Sequence, residues 1–399
     1  MNRVKPVLDV IVIGTGAVGS AALYQLARRG ARVMGIDRFH PPHDRGSSHG
    51  DTRITRLALG EGEQYVQFAR RAHEIWRELE AETGRTLLRQ VGGLIYGVAS
   101  GRTQAHGADD FLQTTIGVAQ RHGIAHEVLD AAAIAERFPQ FRLRGDEVGC
   151  LEHGAGFVHP EACIAAELEV ARKHGAEVRT GERVLQWEIS GEGVCVVTER
   201  GHYEAGRLIV SAGSWLPELV PSLRECAQVF RQVLFWFATD GPPEWFTPDR
   251  MPVYIRVPDA GTAMFYGFPA IDGADGGIKI AGEQFEKSVP ADEVDAEVRS
   301  AEIEAMHALA SPHLRISPRC VRAVVCKYTV TPDFHFAIDH HPESDRVWFA
   351  SACSGHGFKH SAAVGEALAE IVLNGRTRFD IAPFRIARFT GQRGYGCTK

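Results

Sequence analysis

The chain has 399 residues, with 44 Lys and Arg against 50 Asp and Glu, eight Cys and a formal net charge of -6. Scattered basic residues in an acidic chain leave no surplus of cations for displacing phosphate counterions, and no apolar stretch approaches membrane-spanning length. Nucleic-acid binding and membrane insertion are thereby excluded as its main tasks. The cysteines are far apart, without CxxC or zinc-type spacing, and predict reduced, buried thiols in a cytoplasmic protein with no metal centre.

In chain order, Arg3 and Lys5 ahead of an apolar stretch imitate a signal peptide, but Asp9 and the glycines that follow interrupt the would-be core. Val10-Ile11-Val12-Ile13 suits a strand buried on both faces. Gly14-Thr15-Gly16-Ala17-Val18-Gly19 follows, then a helix over Ser20–Ala27 ended by Gly30, and a second strand from Arg32 to Ile36 delivering Asp37. Gly14 allows the tight turn, Gly16 admits a pyrophosphate to the backbone, and Gly19 lets helix pack on strand. The free N–H groups of the first helical turn hold the phosphates, and Asp37 is placed to accept from a ribose hydroxyl. The pattern predicts dinucleotide binding and does not distinguish NAD from FAD.

A helix is expected from about Tyr65 to Glu82, with Val66, Phe68, Ala69, Ala72, Ile75, Trp76 and Leu79 on one face. Val91–Gly97 reads as a strand, and Phe111–Arg121 and Ala131–Arg137 as helices, the second capped by Asp130. Pro160 opens a helix to about Lys173, followed by a strand at 177–179 and a hairpin of 184–189 and 194–198. Arg207–Gly213 is expected to be a buried strand ending in a glycine turn. Aromatic-rich strands at 232–238, 253–257, 263–268 and 277–281 follow, with a charged helix between about Val294 and Ala310. A strand at 347–350, a turn at Ser354–Lys359 and a helix from His360 to Leu373, ended by Gly375, complete the chain.

The expected fold class is α/β, a discontinuous Rossmann-like cofactor domain built from 1–90, 146–226 and 322–399. Segments 91–145 and 227–321 are expected to form an inserted antiparallel-sheet substrate domain. Without further context Cys326 is a buried thiol, Arg56 and Lys359 are solvated or ion-paired cations, and Lys279 is an edge residue or an inward charge. Tyr266 and Tyr328 are then core tyrosines with satisfied hydroxyls.

The segment Gly46-Ser47-Ser48-His49-Gly50-Asp51-Thr52-Arg53-Ile54-Thr55-Arg56, with Gly60-Glu61-Gly62 after it, resembles the monomeric sarcosine oxidase family of FAD-dependent amine oxidases, which includes N-methyltryptophan oxidase and pipecolate oxidase. The resemblance runs nearly end to end, through Tyr266-Gly267-Phe268-Pro269, Gly277-Ile278-Lys279, Val324–Thr329 and Ser354–Lys359. It implies FAD joined through its 8α-methyl carbon to Cys326, with contacts from the glycine turn and Asp37, Arg38, Ser48, His49, Arg53, Val184, Ala212, Gly213, Trp215, Gly355, Gly357, Phe358 and Lys359. It also implies that Arg56 and Lys359 clamp a substrate carboxylate and that Lys279 promotes reaction with oxygen. Tyr266 and Tyr328 wall the pocket, and His49 and Arg53 neighbour the flavin.

The implied activity is oxidation of a secondary (N-methyl or cyclic) α-amino acid by a monomeric enzyme, with O2 reduced to H2O2 and the imine hydrolysed. A flavin dehydrogenase that passes electrons to a carrier is the alternative; a non-catalytic dinucleotide module is the rival outside enzymology. Three departures bear on specificity. Glu283 stands where sarcosine oxidase has histidine, Tyr254 and Arg256 replace smaller or differently charged groups, and the loop before Lys279 is about one residue longer. Arg256 and Glu283 are expected to recognise a polar substrate side chain or to pair with each other.

Overall fold

The computed structural model describes residues 8–99, 105–259 and 263–389. Arg3, Lys5 and the last ten residues of the 322–399 segment lie outside the described residues.

The first strand, Leu8–Ile13, is buried on both faces because parallel neighbours flank it and helices cover it. Val33–Ile36 pairs on one side and His202–Val210 on the other. Glu177–Arg179 extends the sheet beyond Val33–Ile36. His202–Val210 forks: its first half carries the hairpin of Val184–Ser190 and Gly193–Thr198, and its second half pairs in parallel with Ser344–Ser351. The helices Ala17–Arg28, Pro160–Lys173, Val66–Thr83 and Ser361–Asn374 pack into one apolar core against this sheet. The buried face of Val66–Thr83 is the one its 3.6-residue spacing predicts.

The second layer is an eight-stranded sheet in the order Ile316–Val330, Gln228–Thr239, Ile278–Gly282, Phe265–Phe268, Val253–Arg256, Gly93–Val98, Glu147–Glu152 and His126–Asp130. All its pairings are antiparallel except that of Val253–Arg256 with Gly93–Val98. Glu147–Glu152 and Ile316–Val330 therefore belong to this sheet, although the first lies inside the 146–226 segment and the second straddles residue 322. A three-stranded sheet of Arg53–Thr55, Gly156–Val158 and Leu88–Gln90 links the layers.

Among the elements that differ from expectation, three show a clear physical reason. The charged helix begins at Ser300, not near Val294, because Asp295 accepts from the Glu297 N–H and so holds the preceding turn in a non-helical form. The strand expected at 207–213 runs over His202–Val210, drawn toward its N-terminus by pairing with the hairpin. Ile316–Val330 has no counterpart among the expected elements. It is a half-exposed edge strand whose polar residues break the apolar alternation, and its ladder with Gln228–Thr239 holds it.

Ser361–Asn374 lies so close to Ala17–Arg28 that a Cβ on Gly365 would overlap the Ala21 side chain and sit 2.5 Å from the Ala22 nitrogen. In an open helix Gly→Ala gains up to about 1 kcal/mol, but overpacking typically costs about 1–3 kcal/mol. Gly365→Ala is therefore expected to lower stability, read as a lower midpoint in urea unfolding at unchanged slope.

Candidate functional site

Four parallel strands end at one place. Gly14 follows Leu8–Ile13, Asp37 follows Val33–Ile36, Ser211 follows His202–Val210 and Ala352 follows Ser344–Ser351, and all four residues line a single cavity of about 430 Å³. Ligands in α/β sheets sit beyond the carboxyl ends of the strands. The antiparallel sheet closes the far side with Ile255, Met264, Tyr266, Glu283 and Tyr328.

At the glycine turn, a Cβ on Gly14 would stand 2.7 Å from the Ser211 carbonyl, and one on Gly19 would collide with the Gly14 carbonyl. A Cβ on Gly16 would meet nothing within 4 Å: the space beside it is open, as a phosphate cradle requires. Gly16 supplies no side-chain cap to Ala17–Arg28, so the first-turn N–H groups of Ala17 and Val18 are left to face the cavity. Asp37 accepts from the Thr15 N–H at 2.7 Å and the Phe39 N–H at 2.8 Å.

The opposite end holds a buried ion cluster. Glu61 accepts from Arg56 Nη2 at 2.6 Å and from Lys359 Nζ at 3.0 Å, with His106 Nδ1 3.7 Å away. Burial pushes the Glu61 carboxyl up, but Arg56 and Lys359 overcome it and hold the group well below the ordinary carboxylate range. Burial brings Lys359 down to about 8 despite Glu61. His106 Nε2 pairs with Glu283; burial lowers its pKa, yet the Glu283 and Glu61 carboxylates outweigh this and push it up to about 9. The hydroxyls of Tyr266 and Tyr328 lie 2.8 Å apart, and burial raises both.

The chain matches the family described as FAD dependent oxidoreductase over residues 9–371. It is 39% identical over 391 residues to monomeric sarcosine oxidase of Streptomyces avermitilis, covering 95% of this chain and 97% of that one. It is 34% identical over 392 residues to N-methyl-L-tryptophan oxidase of Salmonella heidelberg, covering 96% and 99%. This chain belongs to the FAD-dependent oxidoreductase family. Within it, the chain is an enzyme of the sarcosine oxidase-like amine oxidase group. In fold it is similar to NikD, an amino acid oxidase of nikkomycin biosynthesis, with a TM-score of 0.80 at 24% identity over 95% of this chain and 97% of that one.

The residues present fit FAD: the open cradle beside Gly16, the bare first helical turn and the acidic strand end are those a dinucleotide needs. Of the residues expected to hold it, Gly14, Gly16, Ala17, Val18, Asp37, Arg38, Ser48, Arg53, Val184, Ala212, Gly213, Trp215, Gly355, Gly357, Phe358 and Lys359 line the cavity, as do Arg56, Tyr266 and Tyr328. Gly19, His49, Lys279 and Cys326 do not. Gly19 serves packing instead. Cys326 lies wholly buried behind the wall, with Arg53 Nη2 and the Ser47 carbonyl each 3.6 Å from its sulfur.

Lys279 donates to the Gly50 carbonyl at 2.6 Å, the Thr52 carbonyl at 2.8 Å and Thr52 Oγ1 at 3.2 Å. Burial and Arg53 lower its pKa well below that of a free lysine. Burial, then Arg53 and Lys279, bring His49 down to about 4, so its imidazole is neutral.

One sequence expectation, the pairing of Arg256 with Glu283, is corrected. Arg256 and Glu283 neither pair nor share the cavity: Arg256 is fully buried against Asp259 at 2.7 Å, and Glu283 pairs with His106. Tyr254 is likewise a core residue, edge-on to Phe141. Glu61, His106 and His356 are site residues to which the sequence assigned no role. An acid in a glycine-flanked turn five residues after Arg56 was the available signal for Glu61; nothing local marks His106.

The His106 imidazolium is favoured in the folded state, so its contribution is complete below pH 6.5 and is lost as pH rises through about 9. His106→Gln is expected to remove the stability loss over that interval, measured as unfolding midpoints across the pH range.

Proposed function

We propose that the chain oxidises a secondary (N-methyl or cyclic) α-amino acid, with O2 as acceptor, H2O2 as product and hydrolysis of the imine. The observation that carries this reading is the convergence of Arg56 and Lys359 on Glu61 inside the cavity. Two buried cations sharing one internal carboxylate leave one positive charge over. Lys359 spends two ammonium protons, on Glu61 and the His356 carbonyl, which leaves the third for a substrate carboxylate.

FAD, when bound, accepts the hydride equivalent of the amine's adjacent C–H. The glycine turn and Asp37 would hold its dinucleotide part, and Cys326 is the residue for a covalent thioether. Arg56 and Lys359 fix the substrate by its carboxylate. Ile54, Ile255 and Met264 exclude water around the amine, and with the surplus positive charge they favour its neutral form. Tyr266 and Tyr328, tied hydroxyl to hydroxyl, hold the opposite wall. His49 and Arg53 support the cofactor side, and Lys279 acts toward oxygen from behind the 47–53 segment. A monomer and a two-domain division belong to this reading, with Glu147–Glu152 and Ile316–Val330 counted in the substrate layer.

Transfer of electrons to a carrier other than O2 is the second reading. It is favoured by Lys279 lying outside the cavity with three acceptors around its ammonium group.

A peroxide-coupled screen of primary, N-methyl and cyclic amino acids tests the reading. Stoichiometric H2O2 from a secondary amino acid supports it. Oxidation with dye but no peroxide supports the carrier, and no oxidation of any secondary amino acid overturns both. Yellow colour is expected to stay with acid-precipitated protein and to be released in Cys326→Ser; colour released from wild type rejects the thioether. Lys279→Met is expected to slow the oxygen half-reaction far more than reduction by substrate in stopped flow. Equal loss in both rejects its role.

A further inference from the structure

Glu283 follows the strand Ile278–Gly282, whose last residue pairs with Phe265, and so stands beside Met264 at the cavity wall. Ile54, Ile255 and Met264 make that wall apolar. One Glu283 oxygen is held by His106; the other has no hydrogen-bond partner among the described residues, and the side chain keeps 12% exposure in a buried setting. That oxygen opens to the cavity, and covering it with an apolar group would desolvate it without a partner in exchange.

The groups around it define what that ligand is. His106 lies between Glu283 and Glu61, and Glu61 is already engaged by Arg56 and Lys359. Tyr266, Tyr328 and His356 complete the surround, both tyrosines held protonated by burial and His356 held neutral by burial and Lys359. Gly355 stands at φ +81°, and a Cβ there would lie 3.2 Å from Glu283 Oε1, 3.3 Å from the Tyr328 ring and 3.5 Å from His106 Nε2. Its missing side chain leaves Glu283 and the Arg56–Lys359 pair in one chamber. Cations stand at one point of that chamber and an open anionic acceptor at another, bridged by His106, with Ile54, Ile255 and Met264 also lining the cavity.

We propose that Glu283, positioned by His106, determines specificity by selecting α-amino acids whose apolar side-chain stem ends in a hydrogen-bond donor (ammonium, hydroxyl or ring N–H). This rests on the amine oxidase reading, with the substrate carboxylate on Arg56 and Lys359. A methyl terminus leaves the open oxygen desolvated and unpaired, and a carboxylate terminus is repelled by it.

The test is a series of N-methyl amino acids on one unbranched stem ending in methyl, hydroxyl, ammonium or carboxylate. Oxidation is followed with an artificial dye acceptor, so that oxygen reactivity does not enter. In wild type, kcat/KM for the hydroxyl and ammonium members is expected to exceed that for methyl by at least about tenfold, with ammonium highest through its charge-assisted hydrogen bond and carboxylate lowest. Glu283→Gln is expected to abolish the advantage of ammonium over hydroxyl and to raise the carboxylate member relative to the others, while Glu283→Asp keeps the wild-type order. The bound-flavin spectrum and unfolding midpoint of each variant verify its fold, and the wild-type series stands without either variant. A wild type indifferent to the terminus, or an order unchanged in Glu283→Gln, overturns the proposal while leaving the amine oxidase reading intact. A wild type that oxidises none of the four but does oxidise another secondary amino acid overturns the proposal alone, and one that oxidises no secondary amino acid overturns both.

Discussion

A single buried carboxylate holds the reactive end of this molecule together. Glu61 is almost entirely buried and carries two ion pairs, to Arg56 at 2.6 Å and Lys359 at 3.0 Å. Desolvating such charges is expensive, and the cost is met only when every partner is in place; removing one partner of a buried pair typically costs about 3–5 kcal/mol. The three residues come from a turn near residue 60, the segment just before it and a turn 298 residues later. The cluster therefore forms only when the long-range fold has formed, and it registers the last turn against the first third of the chain. His106 joins the same carboxylate to Glu283, so the antiparallel layer is drawn into one electrostatic unit with the parallel one.

On the proposed reading, the same geometry would make a binding site out of a structural device. Arg56 and Lys359 line a chamber whose other walls combine the apolar Ile54, Ile255 and Met264 with Tyr266, Tyr328 and the His106–Glu283 pair. Preorganised cations in a dry cavity act on a bound anion far more strongly than cations that must be gathered from water. The dinucleotide end follows a complementary logic, with no side-chain charge at the turn itself, only backbone N–H groups and the absence of Cβ atoms. Gly16 provides room for a ligand, whereas Gly14 and Gly19 provide room for the protein's own backbone.

Much of this was legible in the sequence where one local rule decides. The face of Val66–Thr83, the Asp130 cap and the glycine turn each depend on residues within a few positions of one another. What escaped depends on partners distant in sequence. Ile316–Val330 is a strand because Gln228–Thr239 lies beside it, not because its own residues alternate. His106 lies in a loop without periodicity, and its charge exists only because Glu61 and Glu283 arrive from elsewhere. Arg256 and Glu283, 27 residues apart, were open to pairing on sequence alone. Their pairings with Asp259 and His106 are tertiary facts. The charge partner of a buried ion is the hardest thing to read from a chain, since any of many opposite charges satisfies it.

The segment from Ser47 to Arg53 shows how one stretch of backbone serves two sides at once. Toward the cavity it presents Ser47, Ser48 and Arg53. Its carbonyls are consumed by cations: Arg53 takes those of Ser47 at 2.6 Å and Thr52 at 2.8 Å, and Lys279, outside the cavity, takes those of Gly50 and Thr52. The Cys326 sulfur rests against the same stretch. Irregular backbone in a buried place must satisfy its polar groups somewhere, and here the segment's own Arg53 and Lys279 from a distant strand do so. The segment is thus irregular without being loose, and any displacement of it must break charged hydrogen bonds. On the proposed reading, Lys279 and Cys326 would act on a cavity occupant only through or around this wall. Its position, rather than the intrinsic reactivity of either side chain, governs what they can reach.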